Sequence, residues 1–512
     1  MNETTLKTGS WIPRVTRLIG ILMPLVYFPL MLRMLGQEDY GLHSMADSVA
    51  EFLLLLTLAS GGAFAGLLAK RREENDPEGE RRIFGLYVKT YAVIGLVVLA
   101  VGLYISFHLG AFRRSLGEEE LEMLRKICLL MTVNAAVFLP FAAWTAVIGT
   151  HGHSGFLQLA GLVIAVVTPC ANLAVLALGW ASVGLVSVSI AVNLIAAVVY
   201  VLYVRRHIRI APAFGRAGEG HLRNVLGSSA VPLLDLCAEL LFIPADRLIV
   251  GWALGSHAAA AYNVGASVSL YLTGLCVLAG ARHAARPEGW AEEAKETGSF
   301  DALFIRSGRR QFIFIFFVFS AFAVFGRQFL RLWAGDAYAV SYGVVLFSLA
   351  ALAIPLLQEA GTEILHAAEK HRFHMLTLLG SAVASVLLTL WWVKPWGVLG
   401  AAAATFAAYL IGGIIMNVYY HKVIGLDIPL FWKRIARMCP VMLVFGVVCW
   451  FAANAVPMTN WAVLIGLALL YTVLYFLLAR RFMMNEQERA LSAAPFRKFR
   501  ARITGKKTEN EE

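Results

Sequence analysis

Acidic side chains interrupt the apolar segments of this sequence at helical spacing. His43, Asp47 and Glu51 are four residues apart, so they would share one face of a helix. Charge at the centre of a bilayer costs about 2.5 to 3.5 kcal/mol per residue on insertion scales, so an ionisable residue there is a candidate for function. Two further groups follow the same logic: Asp235, Glu239 and Asp246, which would form one stripe, and Glu359, Glu363, His366 and Lys370.

These acids predict a polar cavity or an ion-coupling site. Burial makes a carboxylate easier to protonate, so both H+ and Na+ are open as coupling ions, and no other cofactor is expected. A structural role is the alternative: Asp246 could pair with a base near the outer surface, and His366 and Lys370 could be solvated at the inner one. The candidates for the cavity or for ion coupling are Asp47, Glu51, Asp235, Glu239, Asp246, Glu359 and Glu363.

Three basic residues in or beside the apolar segments are candidates for binding phosphate. They are Arg33, Lys89 and Arg247. A guanidinium group at the membrane boundary can hold a phosphate with two parallel hydrogen bonds, whereas the alternative for Arg33 is snorkelling toward headgroups. The histidine pairs His151/His153 and His371/His374 have no acidic or cysteine companions, so we predict neither a metal site nor catalytic residues.

Composition places these residues in a membrane protein. The 512 residues are 59% hydrophobic and only 15% charged, and the mean hydropathy is +0.69. Continuous apolar stretches of about 20 residues predict helices rather than the alternating strands of a barrel. We predict an all-α protein with fourteen transmembrane helices near 17–36, 41–69, 83–110, 124–149, 155–178, 183–204, 225–253, 259–281, 311–333, 339–367, 373–393, 396–420, 437–456 and 460–479.

The location of the basic residues predicts orientation. Of the 44 Lys and Arg residues, 34 lie in the N-terminus, in alternate loops and in the tail, and 7 in the intervening loops. This asymmetry predicts that both termini are cytoplasmic. It also accounts for the net charge of +11 without nucleic acid as a partner.

The second half of the chain echoes the first. The segment from Trp180 to Val204 matches Trp396 to Tyr420 at an offset of 216, and Leu35-Gly36 recurs as Leu254-Gly255. Two repeats of six spans would have the same orientation, with a substrate path between them. The predicted domains are an N-terminal bundle (11–205), a cytoplasmic linker (206–224), a C-terminal bundle (225–421), two additional helices (437–480) and a basic cytoplasmic tail (481–512).

Several motifs resemble one family. The segment Pro29-x-x-x-Arg33-x-Leu35-Gly36-x-Glu38-x-Tyr40-Gly41 resembles the first loop of bacterial polysaccharide and O-antigen flippases, in the multidrug/oligosaccharidyl-lipid/polysaccharide exporter superfamily. Later stretches agree in order: Asp246 to Gly251 with Tyr262, Leu332-Trp333-x-Gly335-x-x-Tyr338, and Gly397-x-x-Gly400-Ala401-Ala402-x-Ala404-Thr405.

The resemblance implies two parallel six-helix bundles in a V, with two peripheral helices, in a bacterial inner membrane. The implied function is a flippase, not an enzyme, that moves polyprenyl-pyrophosphate-linked oligosaccharide to the outer leaflet for surface polysaccharide such as the O-antigen of lipopolysaccharide. The implied partners are that cargo and membrane lipids, with a polysaccharide polymerase and other assembly proteins left open. Among the candidate phosphate ligands, only Arg33 is one for which the family motif implies a phosphate-binding role. An ion-coupled exporter of small cationic compounds is the alternative, because acids outnumber bases in the spans.

Overall fold

A computed structural model describes residues 12–57, 60–215, 229–281, 300–367, 370–456 and 460–484, together with Val225, Gly227 and Arg489. Within those residues the chain folds into eighteen α-helices without a β-strand. Residues 216–224 of the predicted linker (206–224) and most of the basic tail (481–512) lie outside the described residues.

The helices follow the apolar segments, because a chain in a bilayer must satisfy its backbone polar groups internally. Those of the first half are α1 (Ile12–Leu35), α2 (Gln37–Leu53), α3 (Gly61–Glu73), α4 (Pro77–Phe107), α5 (Glu118–Phe138), α6 (Ala142–Thr150), α7 (Ser154–Ala177) and α8 (Ala181–Tyr203). Those of the second half are α9 (Ala230–Leu241), α10 (Ile243–Leu254), α11 (Ser256–Ala281), α12 (Phe300–Trp333), α13 (Ser341–Leu357), α14 (Glu359–Ala367), α15 (His371–Tyr419), α16 (Ile428–Ala436), α17 (Cys439–Ala455) and α18 (Trp461–Leu478).

The described helices include nine candidate spans, long and apolar enough to cross a bilayer. Two bent pairs pass the same test together: α2 with α3, at 42°, and α13 with α14, at 44°. One candidate, Arg372–Ile424, contains two of the predicted spans, which meet at the non-helical Gly397. The all-helical membrane fold is therefore confirmed, while the number fourteen stays a prediction.

The predicted span 225–253 is broken. Phe242, with φ −86° and ψ −100°, separates α9 from α10. Pro244 lies in the first turn of α10, where the missing N–H of proline removes no helical hydrogen bond, whereas a continuous helix would lose one. The break places Asp246 on a different helix from Asp235 and Glu239, so the prediction of one stripe of three acids is wrong.

The backbone repeats itself at the offset seen in the sequence. Ala181 and Gly397, 216 residues apart, both have positive φ where a span begins, at 45° and 59°. Single π-helical turns end α8 and α15, at Val204–Ile208 and Tyr420–Ile424, again 216 apart. Two backbone features therefore recur at the offset of the sequence repeat, while the duplication and the bundle boundaries 11–205 and 225–421 stay predictions.

By packing, the chain divides into two compact units. The first contains residues 1–267 and 372–408, and the second contains 268–371 and 409–512. Buried aromatic rings hold the first together, as where Phe64 stacks on Tyr87 with ring centroids 4.5 Å apart. In the second, the Tyr475 hydroxyl donates to the carbonyl of Ile313 at 2.8 Å and ties α18 to α12.

Candidate functional site

The polar centre of the first unit is the carboxylate of Asp246, which has no exposed surface. Its Oδ1 accepts a hydrogen bond from Thr389 at 2.8 Å. Its Oδ2 accepts from Tyr262 at 2.8 Å and from Thr405 at 2.5 Å. Ser385 in turn lies 3.0 Å from the Thr405 hydroxyl. We call Asp246, Tyr262, Ser385, Thr389 and Thr405 the hydroxyl cluster.

The positions of these hydroxyl groups follow from the kink in α15. Gly397 has φ 59°, which turns the chain so that Thr389 on one side of the kink and Thr405 on the other face the same carboxylate. Tyr262 reaches the carboxylate from α11. The hydroxyl cluster therefore joins three helices around one carboxyl group.

This arrangement has a defined chemistry. Hydroxyl donors stabilise a buried carboxylate without a counter-charge, and the same oxygen atoms are the hard ligands that small cations prefer. Protonation of Asp246 would require one hydroxyl group to turn and accept from the carboxylic acid, and entry of a cation would turn hydroxyl oxygen atoms toward it. The cluster is therefore suited to holding a proton or a small cation.

An ion pair lies beside the hydroxyl cluster, on the next residue of α10. Arg247 is 6% exposed and its Nη2 is 2.5 Å from Glu51 Oε2. Its Nη1 donates to Asn263 Oδ1 at 3.4 Å, and the Asn263 amide donates to the Tyr40 hydroxyl at 2.6 Å. Arg247 Nε is buried without a hydrogen-bond partner among the described residues. The Nε–H of the guanidinium group is therefore an unused donor.

The surroundings of this pair are acidic. The negative charges of Asp47 and Glu239 both act on Glu51. Asp47 is half-buried on the same helix as Glu51, and Glu239 is exposed on α9. With one guanidinium group against three nearby carboxylates, an incoming anion meets net negative charge unless protons or cations compensate it.

A close helix crossing holds α2 against the second-half helices of the same unit. A Cβ added at Gly41 would lie 2.0 Å from the carbonyl oxygen of Ser256, so only glycine fits there. One added at Gly251 would lie 2.5 Å from the Met45 sulfur. This packing brings Glu51 on α2 within reach of Arg247 on α10.

The structure distributes the other predicted residues over the chain. Arg33 is exposed in the last turn of α1, Lys89 is exposed on α4, and Asp235 is exposed on α9. Glu359 and Glu363 are exposed on α14, which belongs to the second unit. The structure therefore joins Glu51 to Arg247 directly and sets Asp246 beside them. The alternative that Asp246 pairs with a base is wrong, because its partners are hydroxyl groups.

Sequence reasoning missed the neutral partners. Asn263, Thr389 and Ser385 belong to no charged stripe, and the spans that carry them are apolar. Tyr40, Tyr262 and Thr405 stood in the family motifs without an assigned role. Tyr40, Tyr262 and Thr405 could have been identified because polar residues in a motif that accompanies a membrane-embedded acid are candidates for contacting it.

A model of the polysaccharide biosynthesis protein family matches residues 9–282. The matched part contains Glu51, Asp246, Arg247 and Tyr262. The chain belongs to this family. The match covers more than half of the chain, and a search of the curated proteins finds no sequence match.

Solved structures show which folds this chain resembles. The lipid II flippase MurJ, in an inward closed conformation, has a TM-score of 0.71 at 13% identity, over 93% of this chain and 99% of that chain. A multidrug resistance MATE family transporter of the MOP superfamily, in an inward-facing conformation, has a TM-score of 0.65 at 12% identity, over 82% of this chain and 99% of that chain. The family member therefore has the fold of MOP superfamily transporters.

Proposed function

We propose that this protein is a flippase for polyprenyl-pyrophosphate-linked oligosaccharides. It would move them from the cytoplasmic to the outer leaflet of a bacterial inner membrane, by alternating access, for a surface polysaccharide such as O-antigen. The family match and the transporter fold support a role in export, and Arg247 carries the proposal at the site. A buried guanidinium group with an unused donor is suited to binding a phosphate.

In this proposal the cargo phosphate replaces Glu51 at Arg247. Glu51 Oε2 lies 2.5 Å from Nη2 of the guanidinium group. Protonation of Glu51 would release it, and loss of that charge would also lessen the total negative charge that the cargo meets beside Arg247. Arg33 and Lys89 are proposed as further phosphate contacts, and Asp246 as the residue that binds the coupling H+ or Na+.

The test combines a deletion strain with reconstitution. Without the gene, and without a redundant flippase, polyprenyl-linked repeat units should accumulate on the cytoplasmic leaflet and surface polysaccharide should disappear. In liposomes, the protein should make a labelled lipid-linked oligosaccharide accessible from the opposite side, and Arg247→Ala should reduce that rate at least tenfold. Arg113→Ala is the control, because Arg113 is exposed and pairs with Glu118 at 3.8 Å. Normal polysaccharide in the deletion strain would contradict the proposal.

The acids around Arg247 support a second candidate, an ion-coupled exporter of small cationic compounds. Asp47, Glu51 and Glu239 together would attract a cation. Under this alternative, expression raises resistance to cationic dyes, and Glu51→Gln removes that resistance while surface polysaccharide is unaffected by deletion. Unchanged dye resistance argues against it.

A further inference from the structure

A groove outside the candidate site lies between α7 and α8, on the surface of the first unit. It has a volume of about 290 Å³ and is lined by apolar side chains. Leu159, Val163 and Val167 follow one another four residues apart along α7, and Ile195 and Val199 do so along α8. The small side chains of Ala160 and Ala196 form part of the lining.

The dimensions of the groove suit a hydrocarbon chain within one leaflet. Phe156 and Val167 mark its extent along α7, and eleven residues of helix rise about 16 Å. The hydrocarbon core of a bilayer is about 30 Å thick, so the groove spans roughly half of it. Phe156 lies in the first turn of α7, on the side that the loop charges predict to be cytoplasmic.

A stack of rings leads from the groove to basic side chains. Phe156 lines the groove and stacks on Tyr203 with ring centroids 3.7 Å apart. Tyr203 stacks on His207 at 4.4 Å, and its hydroxyl is 2.8 Å from His153 Nδ1. His207 belongs to the π-helical turn Val204–Ile208 that ends α8.

Two exposed arginines in that turn provide charge complementarity. Arg205 and Arg206 are both exposed. The carbonyl end of a helix repels anions, so any attraction for a phosphate at this position must come from the guanidinium groups. Basic groups beside membrane-spanning helices on the cytoplasmic side attract anionic lipid headgroups.

We propose that the α7–α8 groove and the adjoining basic turn bind an anionic phospholipid of the cytoplasmic leaflet. Its acyl chain lies in the groove, and its phosphate contacts Arg205 and Arg206. A chain that ends within one leaflet fits the groove, whereas a long polyprenyl chain extends beyond it. The inference does not depend on the proposed cargo, because the groove lies away from Arg247 and Asp246.

The test measures lipid binding to the purified full-length protein by native mass spectrometry. The probes are dioleoyl phosphatidylglycerol, which is anionic, and dioleoyl phosphatidylcholine, which is not. The protein should bind the first at least tenfold more tightly. Arg205→Ala/Arg206→Ala should weaken that binding by roughly 30-fold, since each basic residue near the surface contributes about a factor of five.

The chain offers a matched control for this variant. Arg480 and Arg481 also lie exposed in a π-helical turn, at the end of α18. Arg480→Ala/Arg481→Ala removes the same charge and should change phosphatidylglycerol binding less than threefold. Equal losses in the two variants would mean that net charge alone attracts the lipid, which overturns the proposal.

A second pair of variants tests the groove. Ala160→Phe should fill it and weaken binding of both phospholipids, with unchanged thermal unfolding showing that the protein is folded. Ala196→Phe replaces it if that variant does not fold. Undiminished binding to a folded, filled variant overturns the assignment of the acyl chain. Tighter binding of a polyprenyl phosphate at the same site, lost in Arg205→Ala/Arg206→Ala, overturns the choice of a phospholipid.

Discussion

Arg247 shows how single side chains at the candidate site depend on residues distant in sequence. Its partner Glu51 is 196 residues away in the sequence. Arg247 also donates to Asn263, which in turn donates to Tyr40, 223 residues away. Removing one member of a buried pair leaves the other charge without compensation, which costs more than removing both. The ion pair should therefore be energetically coupled.

A double-mutant cycle measures that coupling. Arg247→Gln and Glu51→Gln should each destabilise the protein, and the double variant should be more stable than their sum predicts by about 1 to 2 kcal/mol. Glu51 is 38% exposed, so solvent screening keeps the figure at the low end for close charge pairs. Denaturant unfolding in detergent gives the free energies. Additivity within about 0.3 kcal/mol would show that the two residues do not interact.

His151 gives a pH dependence outside the spans. Burial lowers the pKa of His151 below its ordinary value of 6.5. Its hydrogen bond to the Val147 carbonyl and the charge of Glu80, whose Oε1 is 3.4 Å from the ring, oppose this effect. Arg72 and His153 also disfavour the charged form. The unfolded chain therefore binds the proton more readily, so the stabilisation is complete above pH 6.5 and is lost as pH falls through the lower folded-state pKa.

This prediction is checked by thermal unfolding between pH 5 and pH 8. The unfolding temperature of the wild type should decrease as the pH is lowered below 6.5. In His151→Gln the unfolding temperature should depend less on pH. His108→Gln is the control, because His108 lies exposed at the end of α4. An unchanged decline in His151→Gln would show that another group titrates.

At the level of helices, the close contact between α2 and α11 depends on the absence of a side chain at Gly41. The backbone of Ser256 occupies the space that a Cβ at Gly41 would need. Backbone cannot move aside as a flexible side chain can, so a methyl group must separate the helices. The distance between Glu51 and Arg247 depends on the same crossing.

Gly41→Ala should therefore destabilise the protein by about 1 to 3 kcal/mol and weaken the ion pair. Gly466→Ala on α18 is the control, because a Cβ there has no neighbour within 4 Å. The control should be neutral or slightly stabilising, since alanine favours a helix over glycine. Equal unfolding midpoints for the two variants would contradict the role of the crossing.

The apolar segments were predictable because helices in lipid must be continuous and apolar, and each predicted span overlaps a described helix. The helix α16 (Ile428–Ala436) was not predicted, because it lies between two predicted spans. The break at Phe242 was not predictable from hydropathy, because hydropathy is averaged over a window of residues that includes both sides of the break. The acids Glu51 and Asp246 stood out as charge in an apolar setting. Their partners Tyr262, Thr389 and Thr405 did not, because neutral hydroxyl groups scarcely change hydropathy and they meet only in the fold.

For the whole molecule, the buried carboxylate is the feature that could link an ion gradient to transport. Asp246 has no salt-bridge partner among the described residues, so its charge state can change without breaking an ion pair. The hydroxyl groups around it can donate to a carboxylate or accept from a carboxylic acid. Occupancy by H+ or Na+ would then alter packing among α10, α11 and α15.

Asp246→Asn tests this role. The amide has nearly the same shape and keeps acceptor capacity, so the variant should fold with an unfolding midpoint within a few degrees of the wild type. Its transport in liposomes should no longer respond to a pH or Na+ gradient. Thr389→Ala removes one donor and should only reduce the response. Full gradient dependence in Asp246→Asn would rule out the carboxylate as the coupling group.

The repeated backbone gives the hydroxyl cluster a counterpart. Asp246 lies nine residues before Gly255, and Tyr27 lies nine residues before Gly36. Tyr27 accepts a hydrogen bond from Asn172 at 2.9 Å, and Asn172 precedes Ala181 by nearly the same distance as Thr389 precedes Gly397. The two copies thus place a polar pair at matching positions of the repeat, but only one pair carries an acid. Duplication allows one copy to specialise in ion chemistry while the other keeps a neutral contact, so only the second copy is expected to respond to H+ or Na+.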